Sequence, residues 1–245
     1  MFSPSILLTG VILSIAVIIY TMGGFGGGSI FVAILLLSGT APSQAAVFSL
    51  LFNIISTGTS LTRWRIYLER KFTLFSVGSI PFSFIGGLLS LTVQEYVLKM
   101  VMGVVIAFSG LFILISSKPL ANIRLSILHI IFIGCLIGFI AGLTGIGGGV
   151  YLAPILLLDG ISDPKATAAT TTFFIFSNSL AGLLARTERM HVILQNQILL
   201  LLLPIVVISA IVGGHIGSRM LSREKVKKII GAILTGIGLF IAFYQ

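Results

Sequence analysis

Two glycine clusters, Gly24-Phe25-Gly26-Gly27-Gly28 and Gly145-Ile146-Gly147-Gly148-Gly149, decide how this chain is read. Each holds four glycines in five residues. A glycine inside a helix costs about 1 kcal/mol relative to alanine, so neither cluster is helix interior. Each comes after a long apolar run (6–22 and 125–143) and precedes a short one (29–38 and 150–158). The clusters therefore predict two breaks, with half-length helices starting near Ser29 and Val150.

The clusters lie 121 residues apart, and the same offset aligns residues well beyond them. Ile34-Leu35-Leu36-Leu37 meets Ile155-Leu156-Leu157-Leu158, Gly39 meets Gly160, Ala45 meets Ala166, Phe52 meets Phe173 and Arg65 meets Arg186. Beyond that the offset grows to 127 and 128, pairing Gly86-Gly87 with Gly213-Gly214 and Gly110-Leu111-Phe112 with Gly238-Leu239-Phe240. The step predicts a longer loop near 187–197. The order of these matches divides the chain into two homologous halves, 1–118 and 119–245, within a single integral membrane domain.

Composition sets the surroundings. Of 245 residues, 57% are hydrophobic and only 9% are charged, against about a quarter charged in an average soluble domain. Mean hydropathy is +1.18. Besides the two short runs, eight apolar stretches (6–22, 45–61, 72–91, 96–116, 125–143, 166–184, 198–214 and 226–243) are of membrane-spanning length. The expected fold is thus an all-α polytopic membrane protein of about ten helical segments. Each half is a glycine-tipped hairpin with a half-length helix, followed by three transmembrane helices. The start has no basic segment and no small-residue cleavage pattern, so the first apolar run is expected to stay in the mature protein.

A net charge of +9 would point to nucleic acid in a soluble protein, but here the bases sit in short clusters between apolar runs. Nucleic-acid binding is excluded on that distribution. The clusters instead orient the chain by the excess of bases on the cytoplasmic side. If a hairpin enters and leaves on one side, three further crossings invert the second half relative to the first. Arg63, Arg65, Arg70 and Lys71 then share the inside with Lys118, Arg124, Lys165, Arg219, Arg223, Lys225, Lys227 and Lys228. Only Lys99, Arg186 and Arg189 remain outside. Parallel halves would erase this bias. Inverted halves, a multi-pass plasma (inner) membrane protein and both termini outside are the expectation.

The breaks also carry the chemistry. A helix start presents unpaired N–H groups and a partial positive charge. Two such starts related by an in-membrane pseudo-two-fold axis would converge near the midplane as an electropositive nest for a small oxyanion. Gly26, Gly27, Gly28 and Ser29 in one half, with Gly147, Gly148 and Gly149 in the other, are the candidate binding residues. The next helix in each half carries the polar side chains. Ser49, Asn53, Ser56 and Ser60 recur at spacings of three and four, and Thr167, Thr170, Thr171 and Asn178 form a comparable stripe. Ser49, Asn53, Thr170 and Asn178 are expected to complete the lining. Arg65 and Arg186, at the ends of these helices, are candidate entrance residues or else snorkel to the interface. The pairs Gly86-Gly87 and Gly213-Gly214 are read as packing devices.

All six acids fall in loops or at helix ends, which excludes the buried carboxylate of a typical cation pump. The single cysteine, Cys135, rules out an intrachain disulfide and reads as a small core residue. His129 and His215 read as helix-end residues. The absence of an HExxH motif, of an embedded aspartate and of a nucleophile–base pair argues against an intramembrane enzyme. No catalytic residue, metal ligand or cofactor is expected. The leading reading is a secondary permease for a small anion, with a passive anion channel or facilitator as its alternative and an enzyme behind both. Lipid is the other partner; a homodimer stays open.

The order Gly-x-Gly-Gly-Gly, a proline-leucine stretch and an Ala-x-x-Thr helix recurs here. In the second half it reads Gly145-Ile146-Gly147-Gly148-Gly149, Pro154-Ile155-Leu156 and Ala166-Thr167-Ala168-Ala169-Thr170. This resembles the TauE/SafE sulfite exporter family over nearly the whole chain. The first half departs, with Ala33 in place of the proline and Ser49 in place of the threonine. The resemblance implies movement of sulfite, thiosulfate, a sulfonate or a similar anion across the plasma membrane.

Overall fold

The computed structural model describes residues 4–22, 26–115, 125–158, 164–189, 197–219 and 223–243. Gly24, the boundary between the expected halves at 118/119, the turn 159–163 and most of the loop 187–197 lie outside these residues. Among the described residues there are ten helices: α1 (Pro4–Met22), α2 (Gly28–Leu37), α3 (Pro42–Trp64), α4 (Leu74–Leu89), α5 (Glu95–Ile115), α6 (Ile127–Thr144), α7 (Gly149–Leu158), α8 (Pro164–Leu184), α9 (Gln197–Arg219) and α10 (Arg223–Phe243). The chain is all-α, as expected. Two of these helices, α2 and α7, have ten residues each, and they start one residue ahead of the expected Ser29 and Val150.

Four helical segments, Pro42–Tyr67, Arg70–Leu89, Glu95–Phe112 and Ile127–Thr144, are long and apolar enough to cross a membrane. Their outer faces are hydrocarbon. On α6, Leu128, Phe132, Leu136 and Ile140 recur every four residues and are all exposed. On α4, Ile80, Phe84 and Leu88 do the same. The interior is the reverse, since Ser49, Asn53, Ser56, Thr57, Thr171, Asn178 and Ser179 are all fully buried. Apolar side chains outside and hydroxyls and amides inside suit a protein dissolved in lipid, where only the interior offers polar partners.

Small residues draw the helices together. α4 runs alongside α6 in the same direction. A Cβ on Gly134 would lie 2.3 Å from the Phe75 carbonyl oxygen, one on Gly138 2.3 Å from that of Ser79, and one on Gly142 2.0 Å from that of Ser83. Backbone-to-backbone contact of this kind replaces the hydrophobic force that lipid removes, through dispersion and Cα–H···O contacts. α1 packs on α9 in the same way, with Gly213 against the Ile18 carbonyl and the Thr21 hydroxyl. Gly86 meets the Phe139 carbonyl. Gly86 and Gly213 are thus the packing devices the sequence suggested. α5 pairs with α10 through Gly103 against Ala242 and Gly238 against Ala107. α3 and α8 stand side by side at the centre, each carrying one half-length helix.

Helix ends sort to two ends of the bundle. At one end the Lys165 ammonium donates to the Tyr67 hydroxyl at 3.4 Å and sits over its ring, and Arg63 bonds His215. At the other, the Glu95 carboxylate accepts from the Ser43 backbone N–H at 2.8 Å and lies 3.7 Å from Arg189. Glu95 therefore neutralises an orphan donor and the positive pole at the start of α3. His129 has the helix-end setting expected of it, with its backbone N–H donating to the Ser126 capping hydroxyl. Cys135 is half-buried.

Candidate functional site between two glycine turns

The glycine clusters form two turns that touch. Gly26, Gly27, Gly145, Gly147 and Gly148 have φ between 69° and 111°, the left-handed region that other residues avoid. Gly27 and Gly148 each sit directly before a half-length helix. The first bonds at the helix starts run from Phe31 N–H to the Gly27 carbonyl at 2.8 Å and from the Tyr151 and Leu152 N–H groups to the Gly148 carbonyl, each at 3.2 Å. The N–H groups ahead of those bonds are not taken up by the helices.

The closest approach is at Gly28. A Cβ there would lie 1.8 Å from the Ile146 carbonyl oxygen and 2.7 Å from Asn53 Nδ2. From the other turn, a Cβ on Gly147 would lie 2.9 Å from the same Asn53 Nδ2 and 3.1 Å from Ser179 Oγ. Only glycine fits at these two positions, where the turns close on the Asn53 amide and the Ser179 hydroxyl. Asn53 Nδ2 donates to the Ile146 carbonyl at 3.4 Å. Asn53 Oδ1 and Ser179 Oγ have no partner among the described residues, although both are fully buried. Buried polar atoms are paired in the great majority of cases, and an orphan costs about 1–3 kcal/mol. Two such orphans beside the meeting point of the turns mark the candidate site.

The remaining predicted residues divide by role. Ser49 Oγ donates to the Gly28 carbonyl at 3.2 Å, and Ser56 Oγ donates to the Gly26 carbonyl at 2.9 Å, so α3 braces the first turn with hydroxyls. Ser29 is fully buried, 3.4 Å from the Tyr20 hydroxyl. Asn178 spends its amide N–H on the Phe174 carbonyl of its own helix, leaving Oδ1 without a partner. The Thr170 hydroxyl is buried and also unpartnered. Gly27 faces the Phe31 ring, and Gly148 faces Ile137 and Phe174; both lie beside apolar groups rather than beside Asn53.

Two residues of the site escape the sequence pattern. Ser179 is one hydroxyl among many. Ile175 packs against both turns, within 3.2 Å of the Cβ positions of Gly26, Gly147 and Gly149, and sets an apolar side chain beside their contact. An isoleucine in an apolar run gives no signal.

Arg65 and Arg186 occupy unlike settings. Arg65 is exposed. Arg186 is buried, donating to the carbonyls of Gly182 at 2.9 Å, Gly142 at 2.6 Å and Leu143 at 3.1 Å. It closes the C-terminal ends of α6 and α8 by satisfying carbonyls that a helix terminus leaves open.

Comparison with known proteins identifies the family of the chain. A family model described as Sulfite exporter TauE/SafE matches residues 8–241. The chain is 30% identical over 234 residues to a protein of Sinorhizobium fredii (strain NBRC 101917 / NGR234) named probable membrane transporter protein y4hK, covering 90% of this chain and 91% of that one. It is 26% identical over 238 residues to probable membrane transporter protein YunE of Bacillus subtilis (strain 168), covering 84% and 85%. A shorter stretch of 48 residues is 48% identical to Sulfite exporter TauE/SafE family protein 6 of Arabidopsis thaliana, covering 19% of this chain and 11% of that one. No solved structure matches significantly. A match over nearly the whole length, together with an apolar exterior and a polar centre, makes this a membrane-embedded protein of the TauE/SafE sulfite exporter family.

Proposed function

We propose that this chain is a secondary permease for a small sulfur-containing anion such as sulfite, thiosulfate or a sulfonate, bound near the midplane between the two glycine turns. One observation carries the reading. Gly28 and Gly147 bring the two turns up against the buried Asn53 amide and Ser179 hydroxyl, and Asn53 Oδ1 and Ser179 Oγ lack partners among the described residues. An oxyanion is an acceptor on every side, and the site offers it the Asn53 and Ser179 donors beside two helix starts with positive poles. An oxyanion that keeps one proton would also give the Asn53 carbonyl oxygen a donor. The names of the family and of the plant relative supply the sulfur anion.

The packing supports two repeats of inverted topology. The α4–α6 pair has a counterpart in α9–α1, while α3–α8 and α5–α10 each join equivalent helices of the two halves. Pro81 within α4 and Pro204 within α9 recur at nearly the repeat offset. On the orientation set by the basic loops, the end bearing Arg63 and Lys165 faces the cytoplasm and the end bearing Glu95 and Arg189 faces outward.

Purified protein in liposomes tests the reading. Flux of sulfite, thiosulfate or a short sulfonate above that of sulfate and chloride is expected, with loss of flux in Asn53→Ala. Liposomes in which the wild type moves none of the three sulfur anions would refute it.

A further inference from the structure

Between the C-terminal part of α3 and α9 lies a cleft of about 280 Å³, lined by Thr59, Ser60, Thr62 and Arg63 on one side and by Ile211 and Gly214 on the other. The cleft exists because the two adjacent glycines of α9 do different things. Gly213 is pressed against α1. At Gly214 a Cβ would make only ordinary contact, with Ser60 Oγ at 3.5 Å, so no helix is pressed into its side-chain position and it lines the cleft.

The lining is positive. Arg63 is exposed at the mouth and bonds His215 Nδ1. An arginine only donates, so His215 Nδ1 accepts in this contact. A guanidinium has five N–H donors, and one contact to His215 leaves room for an anion. Among the described residues, no carboxylate lines the cleft. Ser60 also belongs to the buried stripe that continues through Ser56 to Asn53. Ten residues of helix separate Arg63 from Asn53, about 15 Å along the axis. At the far end of the bundle, Arg186 is turned inward and gives three of its five donors to carbonyls. An anion arriving there meets a filled position, whereas at the Arg63 end it meets an open one.

We infer that this cleft is a second anion-binding subsite, in which Arg63 captures the oxyanion before it moves along the α3 stripe to Asn53. The inference rests on the permease reading above and adds a recruiting site to it. Its signature is a change in apparent affinity, because a partly solvated charge a few ångströms from an anion contributes between the water and near-surface limits of Coulomb attraction.

The test compares wild type with Arg63→Gln, Arg63→Lys and Gly214→Leu in sulfite-loaded liposomes. The inference expects KM for sulfite to rise about tenfold in Arg63→Gln, more than in Arg63→Lys, with the difference shrinking as salt is raised. Gly214→Leu, which fills the cleft without removing charge, should raise KM as well. Sulfite KM equal to wild type in both Arg63→Gln and Gly214→Leu overturns the subsite while leaving the permease standing. If the wild type moves no sulfur anion, the permease reading fails by itself. The emission of Trp64, the sole tryptophan and the neighbour of Arg63, then decides the cleft by titration with sulfite. A saturable change lost in Arg63→Gln supports it, and no change overturns it.

Discussion

Three glycine-to-alanine substitutions separate backbone strain from occupation of the site. Gly39 has φ +83° and nothing within 4 Å of its Cβ position, so Gly39→Ala imposes strain alone. Gly28 lacks a positive φ, but its Cβ would lie 1.8 Å from a carbonyl oxygen, so Gly28→Ala imposes collision alone. Gly147 combines φ +82° with contacts of 2.9 Å to Asn53 Nδ2 and 3.1 Å to Ser179 Oγ. Holding a side-chain-bearing residue in the left-handed region costs about 1–2 kcal/mol, which sets the stability loss expected of Gly39→Ala and the strain part of Gly147→Ala. The effect on transport should take a different order. Displacing the Asn53 amide and the Ser179 hydroxyl removes two hydrogen bonds to a charged ligand at about 1.5–3 kcal/mol each, at least a hundredfold in affinity. Flux of sulfite into liposomes should therefore fall at least about a hundredfold in Gly147→Ala, at least about tenfold in Gly28→Ala, whose Cβ reaches the Asn53 amide alone, and stay near wild type in Gly39→Ala. Thermal unfolding in detergent should show Gly39→Ala and Gly147→Ala both destabilised, confirming that the strain was imposed. Normal flux in Gly28→Ala would refute the reasoning, and so would a loss in Gly39→Ala as deep as in Gly147→Ala.

Further outcomes test the frame around the site. Arg186→Gln should lower stability by about 3 kcal/mol, since it strips charged donors from three buried carbonyls, whereas Arg65→Gln should leave the unfolding temperature almost unmoved. Gly138→Leu should prevent a monodisperse protein on size exclusion, because its side chain would have to enter the Ser79 backbone 2.3 Å away. Glu95→Gln should cost about 1 kcal/mol in the same unfolding assay, most of it from the start of α3 rather than from the half-exposed pair with Arg189. The orientation is read by Ile66→Cys on a Cys135→Ala background: Ile66 is 74% exposed, and a membrane-impermeant thiol reagent should label it from the cytoplasmic side alone.

The part of the molecule legible in the sequence was the part governed by local rules. Glycine clusters terminate helices wherever they occur, so α2 and α7 begin within one residue of expectation. Hydroxyls at spacings of three and four share a helix face, and Ser49, Asn53, Ser56 and Ser60 are indeed buried together along α3. The part that escaped depends on the neighbour across the gap. Arg65 and Arg186 align in sequence, yet one is exposed and the other enclosed. Arg186 reaches inward because Gly87 and Ala185 leave room beside it, with a Gly87 Cβ position 2.6 Å from Ala185 Cβ and 3.2 Å from Arg186 Nη1. Ser179 joins the site only because Gly147, on another helix hairpin, comes up to it. Gly213 and Gly214 are chemically identical neighbours, and only the helix facing each one makes the first a contact and the second an opening.

The pairing of α1 with α9 and of α4 with α6 also sets a timetable for biogenesis. α1 ends at Met22 and its partner does not begin until Gln197. At about 5–20 residues per second of synthesis, α1 waits roughly 10–35 seconds before the surface that fits its small-residue groove has been made. During that interval Ile18 and Thr21 have no Gly213 to receive them. Insertion of the first helices and completion of the fold are thus separate events. The early helices must be kept in the membrane by hydrophobicity alone, and tight packing arrives only when the second half of the chain leaves the ribosome.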